Sequence, residues 1–143
     1  MFKIECGPAI ARYEIGNDGI LRTTWSGLIV PANAGELSAR LLRIATDAGA
    51  RAVLSELEGV LLAIPPVNPN YYRYVPEDLR AVPVSFVVSG EQAPLYRGLA
   101  QAAASNRTLR RAVRSSDDGE DWLQEQVRAF TANQVWWDRR RRR

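Results

Sequence analysis

The chain has 143 residues, of which 46% are hydrophobic and 24% are charged. This length suffices for one domain with a hydrophobic core, and the composition excludes collagen-like, disulfide-rich and wholly disordered chains. The sequence contains no histidine and a single cysteine, Cys6. These two counts exclude Ser-His-Asp and Cys-His catalysis, histidine-based metal sites and an intramolecular disulfide.

The basic excess of the chain comes from one run of arginines, residues 139–143, and the remaining residues carry more acids than bases. The body of the chain is therefore not a basic nucleic-acid-binding domain. No apolar run approaches the roughly 20 residues of a membrane-spanning helix. Residues 1–10 lack the long apolar block of a secretory signal. We therefore expect a cytoplasmic protein without a transmembrane segment, in which Cys6 is a buried or inert thiol.

The first third of the chain has the pattern of β-structure. Residues 9–15 and 20–27 alternate with period two, and the turn sequence Gly16-Asn17-Asp18-Gly19 lies between them. Glycine and asparagine tolerate the backbone angles of such a turn, so the two runs predict an antiparallel hairpin. Residues 2–5 predict a short strand before it.

The apolar period then changes to that of a helix. Residues 37–48 carry apolar side chains at steps of three and four, with Asn33 as the expected N-cap, Glu36 in the capping-box position and Gly49 as the stop. Residues 52–57 then predict a strand. Residues 64–70 contain three prolines and exclude a continuous helix or a central strand.

The second half alternates again between the two periods. A short helix is expected over residues 76–80, a buried central strand over 82–88 and a helix over 92–104. Residues 109–115 fit a helical extension or a last strand, and we favour the strand. Asp117 is expected to cap a final helix running to about Trp137, with Glu120 in the capping-box position.

This order of elements predicts an α/β fold. We expect a mixed sheet of four to five strands, opened by the antiparallel hairpin, with the helices packed mainly on one face. Residues 1–134 form the single domain, and residues 135–143 form a Trp/Arg-rich C-terminal tail.

Three segments carry a resemblance to a known family: residues 20–27, a strand that ends in glycine; residues 49–60, a strand with its following turn; and residues 115–123, a serine-acid opening of a last helix with a Trp-Leu pair. Their order resembles that of the STAS superfamily, and of its SpoIIAA-like group in particular, whose shape is shared with CRAL-TRIO lipid-carrier domains. The resemblance implies a STAS-like fold used for partner binding, regulation or apolar-ligand binding.

One departure from that family concerns its phosphorylation switch. In the anti-sigma-factor antagonists of the family, a turn after the corresponding strand presents a phosphorylatable Ser or Thr beside an acid. Here the stretch reads Ile64-Pro65-Pro66-Val67 and contains no hydroxyl. The switch is therefore not carried over to any residue of this chain.

Two regions are candidate sites for a ligand or partner. The first lies in the proline-rich loop, where tyrosines and arginines could line a pocket or an interface, or could simply cover the sheet edge: Tyr71, Tyr72, Arg73, Tyr74 and Arg80. The second is the tail, which could contact anionic lipid, nucleic acid or a second subunit, or could be a frayed terminus: Trp136, Trp137, Arg139 and Arg140.

Two acidic groups are weaker candidates. The acids of residues 117–121 do not have the spacing of a calcium loop and are ordinary capping partners at a helix start. Glu56 and Glu58 have the spacing of two residues on one face of a strand but lack any local sign of a catalytic cleft. We therefore predict no catalytic residues, no metal site and no cofactor.

The sequence thus favours a non-catalytic regulatory or binding module for a protein partner or a small apolar or anionic ligand. An adaptor that contacts membrane or nucleic acid through its tail, and a homodimer, are the alternatives. An enzyme with a Tyr, Glu and Arg site is the weakest reading.

Overall fold

The computed structural model describes residues 2–29, 31–62, 82–105 and 109–141. Seven strands and three helices make up this part of the chain. In chain order they are β1 (Phe2–Cys6), β2 (Ala9–Ile15), β3 (Ile20–Ile29), α1 (Pro31–Asp47), β4 (Ala52–Glu56), β5 (Val60–Leu62), β6 (Val84–Val87), α2 (Ala93–Ser105), β7 (Arg110–Val113) and α3 (Ser116–Arg141).

The strands form one mixed sheet in the order β1-β2-β3-β4-β6-β7, with β5 paired to the end of β3. The pairs β1–β2 and β2–β3 are antiparallel, and the later pairs are parallel. This confirms the α/β class and the opening hairpin, and it confirms β7 as a strand. The expected number of four to five strands is wrong, because the described residues alone form seven strands of this sheet. The strand β5 was missed because three consecutive apolar residues carry no alternation.

A close backbone approach shapes the hairpin of β2 and β3. Gly27 has a φ of 91°, and a Cβ built on it would lie 2.1 Å from the carbonyl oxygen of Pro8. Only glycine fits such a position. The approach lets the backbone amide of Leu28 donate to that same oxygen at 3.2 Å, so the pairing with β3 extends to the residue before the start of β2.

The larger core lies under α1 and α2 on one face of the sheet. Trp25 is 5% exposed there, and its Nε1 donates to Thr23 Oγ1 at 3.0 Å, which satisfies the indole N–H inside the core. The main apolar members are Leu21, Trp25, Leu37, Leu41, Val53, Val84, Phe86 and Tyr96.

The smaller core lies on the opposite face, where α3 packs on β4, β6 and β7. Leu123 is completely buried at its centre. It packs with Ile20, Ala52, Leu54 and Val87, and with the half-buried Val113, Trp122 and Val127. The faces of β1 and β2 on this side have no described helix over them.

Two predicted helix starts are wrong by a few residues. Helix α1 begins at Pro31, before the expected cap Asn33, because proline has no N–H to lose and suits the first turn. Helix α3 is capped by Ser115, whose Oγ accepts the backbone N–H of Asp118 at 3.1 Å, and not by Asp117. The backbone of α3 continues through the predicted tail to Arg141.

Candidate functional site

A groove of about 410 Å³ lies beside the first turns of α3, on the sheet face that this helix covers only in part, and most of the residues that line it are charged or polar. The sheet residues on this face come from three neighbouring strands because of the register. Arg12 and Glu14 of β2 lie opposite Thr24 and Arg22 of β3, and these lie beside Glu56 and Leu54 of β4. The helix contributes Ser116 and Glu120.

Helix α3, which forms one side of the groove, packs closely against the sheet at Gly119. A Cβ at Gly119 would lie 2.8 Å from Leu54 Cδ1, 3.2 Å from Val113 Cγ2 and 3.3 Å from Ser85 Cβ. The buried Ser85 hydroxyl donates to the Gly119 carbonyl oxygen at 3.1 Å. This close approach brings the polar side chains of the first helical turns within reach of β3 and β4.

Arg22 links three parts of the chain at one end of the groove. Its Nε lies 2.6 Å from Glu120 Oε1 on α3, and its Nη2 lies 2.7 Å from Asp18 Oδ2 in the β2–β3 turn. The hydrogen bond from Arg22 holds the pKa of the Asp18 carboxyl below its usual value, and the two carboxylates raise the pKa of Arg22. Arg22 therefore has a structural role, because it joins β3 both to the β2–β3 turn and to α3.

Glu56 lies at the other end of the groove and is held by hydroxyl groups. Ser116 Oγ donates to Glu56 Oε1 at 2.6 Å, and Thr24 Oγ1 donates to Glu56 Oε2 at 3.4 Å. Within the residues that the structure describes, no arginine or lysine forms an ion pair with Glu56. A carboxylate has about four acceptor positions, so Glu56 retains acceptor capacity toward the groove.

Arg12 is exposed at the outer rim, two strands from Glu56. That separation corresponds to about 10 Å between the backbones. In the described part of the chain, Arg12 forms no ion pair. Among the described residues of the groove, one cation, Arg12, and two carboxylates, those of Glu14 and Glu56, therefore form no ion pair.

The chemistry of the groove suits recognition of a charged, polar surface. Within the described residues, no three acidic or cysteine side chains converge closely enough to hold a metal ion. Glu58, the expected companion of Glu56, lies exposed in the turn after β4 and outside the groove. The expectation that both glutamates share one face of a strand is therefore wrong.

The described residues do not test the sites predicted from the sequence. Tyr71, Tyr72, Arg73, Tyr74 and Arg80 lie outside the described residues, and so does the stretch 64–67, which we expect at the position of the phosphorylatable turn. Both assignments stay predictions. Of the tail, the structure describes the backbone on α3, which carries Trp136, Trp137, Arg139 and Arg140.

The sequence reasoning missed the groove because its partners are distant in the chain. Arg22 and Glu120 are 98 residues apart, and Glu56 and Ser116 are 60 apart. A usable signal was present in the hairpin, where Arg12, Glu14, Arg22 and Thr24 occupy the face opposite the apolar one.

Comparison with known proteins supports the fold assignment. No protein-family model and no curated protein matches the chain. The structure is similar to the crystal structure of an anti-sigma factor antagonist from Mycobacterium paratuberculosis, with a TM-score of 0.52 and 15% identity. The match covers 84% of this chain and 98% of that chain. The protein therefore has the fold of an anti-sigma factor antagonist, and the STAS-like fold inferred from the sequence is confirmed.

No helix in the described ranges is both long enough and apolar enough to cross a membrane.

Proposed function

We propose that this protein is a non-catalytic regulatory module that acts by binding another protein, and that the polar groove is its recognition surface. The similar solved protein is described as an antagonist of an anti-sigma factor, and so acts on another protein. The likeness of fold supports a role of that general kind for this chain. We also propose that it works in the cytoplasm.

The charged lining of the groove is the observation that carries this proposal. An apolar ligand placed there would remove water from Arg12 and Glu56 without replacing their interactions, which is costly. A small anion would meet the carboxylates of Glu14, Glu56 and Glu120. A protein surface that presents a base to Glu56 and an acid to Arg12 satisfies both groups.

Site-specific photo-crosslinking tests the proposal. A photoreactive residue replaces Thr24, which is exposed and lines the groove, and in a matched control it replaces Asp47, which is exposed at the end of α1 on the opposite face of the sheet. Both variants are exposed to an extract of the source cells, and adducts are identified by mass spectrometry. We expect one protein to be linked at position 24 and not at position 47.

Affinity measurements then follow with the identified protein in purified form. Glu56→Gln removes the charge while keeping the shape, and should weaken binding about tenfold, as expected for the loss of one charge-assisted contact. Equal crosslinking at both positions, or unchanged affinity of the Glu56 variant, would contradict the assignment of the groove.

The arginine-rich end of α3 supports a second candidate function, an adaptor that contacts anionic membrane or nucleic acid. The observation that favours it is the continuous helical backbone to Arg141, which carries the basic run to the end of a long helix. Replacement of residues 139–143 by serine should then reduce binding to anionic liposomes or to DNA at low salt. Unchanged binding would remove this candidate.

A further inference from the structure

The register of β1 and β2 determines which backbone groups of β1 point outward at the edge of the described sheet. Gly7, with a φ of 58°, and Pro8 form a two-residue turn, and Cys6 pairs with Ala9 across it. In a hairpin of this kind the pair next to the turn is hydrogen-bonded, and the bonding then alternates along the strands. The backbone of Ile4 therefore bonds to β2, whereas the N–H and C=O groups of Lys3 and Glu5 point away from the sheet.

A side-chain contact agrees with this orientation. Nη1 of Arg40 on α1 donates to the carbonyl oxygen of Glu5 at 3.4 Å, which places that oxygen on the outer edge. Among the described strands, β1 is the end of the sheet and pairs only with β2. The carbonyl of Glu5 retains a second lone pair for another donor.

The charges on β1 suit pairing with a second copy of the same strand. Lys3 and Glu5 form an ion pair at 2.8 Å, and their side chains are 51% and 58% exposed. In an antiparallel pair of β1 strands centred on Ile4, each Lys3 lies opposite Glu5 of the second copy. The outward N–H and C=O groups of these residues then face each other in hydrogen-bonding register.

Strand β7, at the other end of the described sheet, has charges that do not suit pairing with a second copy of itself. Strand β7 carries Arg110 and Arg111 and no acid. Pairing of β7 with its own copy would bring arginines close to arginines, which is unfavourable. Of the two edges, β1 is therefore the one suited to self-association.

We propose that β1 forms a two-fold interface with a second copy of this chain, continuing the sheet across the dimer. The side chain of Phe2, which is 67% exposed, becomes partly covered in this arrangement. Ile4 is only 4% exposed already, so little further apolar surface is removed from water. The interface is small, and we expect a weak dimer with a Kd on the order of 100 µM.

A charge-swap series tests the interface by sedimentation velocity. Lys3→Glu gives two acids on the outer edge, and Glu5→Lys gives two bases. Each single variant should dimerise at least about tenfold more weakly than the wild type, because both cross-strand pairs become like-charged. An equimolar mixture of the two variants should associate again, since every pair across the mixed interface is of opposite charge.

Several outcomes of these measurements would contradict the proposed interface. Circular dichroism first establishes that the variants are folded. A wild-type chain that stays monomeric at about tenfold above the expected Kd would overturn the proposal. It would also be overturned by single variants that associate like the wild type, by a mixture that stays monomeric, or by oligomers that grow without limit through β1–β7 contacts.

Discussion

Replacement of Gly119 by alanine should destabilise the protein, although alanine is the better helix former. The added Cβ would lie 2.8 Å from Leu54 Cδ1 and within 3.3 Å of Ser85 Cβ. Carbon atoms pack best at about 3.5–4.0 Å, so the helix or the core must move by several tenths of an ångström. Overpacking of this kind costs about 1–3 kcal/mol, against a gain of about 1 kcal/mol in helix propensity.

Gly98 on α2 is the matched control. It is also a helical glycine, but a Cβ built there meets no atom within 4 Å. Gly98→Ala should therefore raise the free energy of unfolding by about 0.5–1 kcal/mol, since only the propensity changes. Gly119→Ala should lower it by about 1 kcal/mol, which corresponds to a Tm about 2–4 °C lower for a chain of this size.

Urea unfolding monitored by circular dichroism measures both variants. We expect their free energies of unfolding to change in opposite directions. Because the same helix carries Ser116 and Glu120, the Gly119 variant should also weaken the contacts that line the groove. If Gly119→Ala stabilised the protein as much as Gly98→Ala, the close contact between α3 and the sheet would be refuted.

Three further substitutions test single features of the fold. Thr23→Val removes the acceptor of the Trp25 indole N–H, and a buried unsatisfied donor should cost about 1–3 kcal/mol in urea unfolding; a cost near zero would contradict the bond. Gln92→Leu leaves two backbone carbonyls around the β4–β5 turn without their side-chain donor, and a similar loss is expected; an unchanged midpoint would show that the amide is dispensable. Arg22 lowers the pKa of Asp18, so this pair stabilises the fold above the usual carboxyl pKa of about 4 and loses its effect as the pH falls through the lower, folded-state pKa. Asp18→Asn should flatten the acid part of the stability profile, and an unaltered profile would contradict this coupling.

Local patterns in the sequence were sufficient for much of the fold. The alternation on either side of Gly16–Gly19 predicts the hairpin, and Trp25 lies on its buried face as that alternation requires. The buried strand β6 was predicted from its run of apolar residues, and it lies between β4 and β7. These local signals succeed because the hairpin has one buried and one polar face, whereas β6 is buried on both faces.

The candidate site could not be predicted in the same way. The sequence around Arg22 does not reveal whether its side chain is solvated or held in ion pairs. Its partner Glu120 lies on a helix near the other end of the chain. Glu120 was expected to complete a capping box, but its carboxylate reaches across to β3 instead. Such contacts depend on the crossing of α3 over the sheet, which no local signal specifies.

Isothermal titration calorimetry of the purified protein with the partner identified by crosslinking tests the central claim most directly. Wild type is compared with Arg12→Glu in the groove and with Asp47→Arg on the opposite face, two charge reversals at exposed positions. We predict that the groove variant binds at least about tenfold more weakly and that the control binds like the wild type. Equal affinity of all three proteins, or a partner that leaves the titration chemically altered, would contradict a non-catalytic module that recognises its partner through this groove.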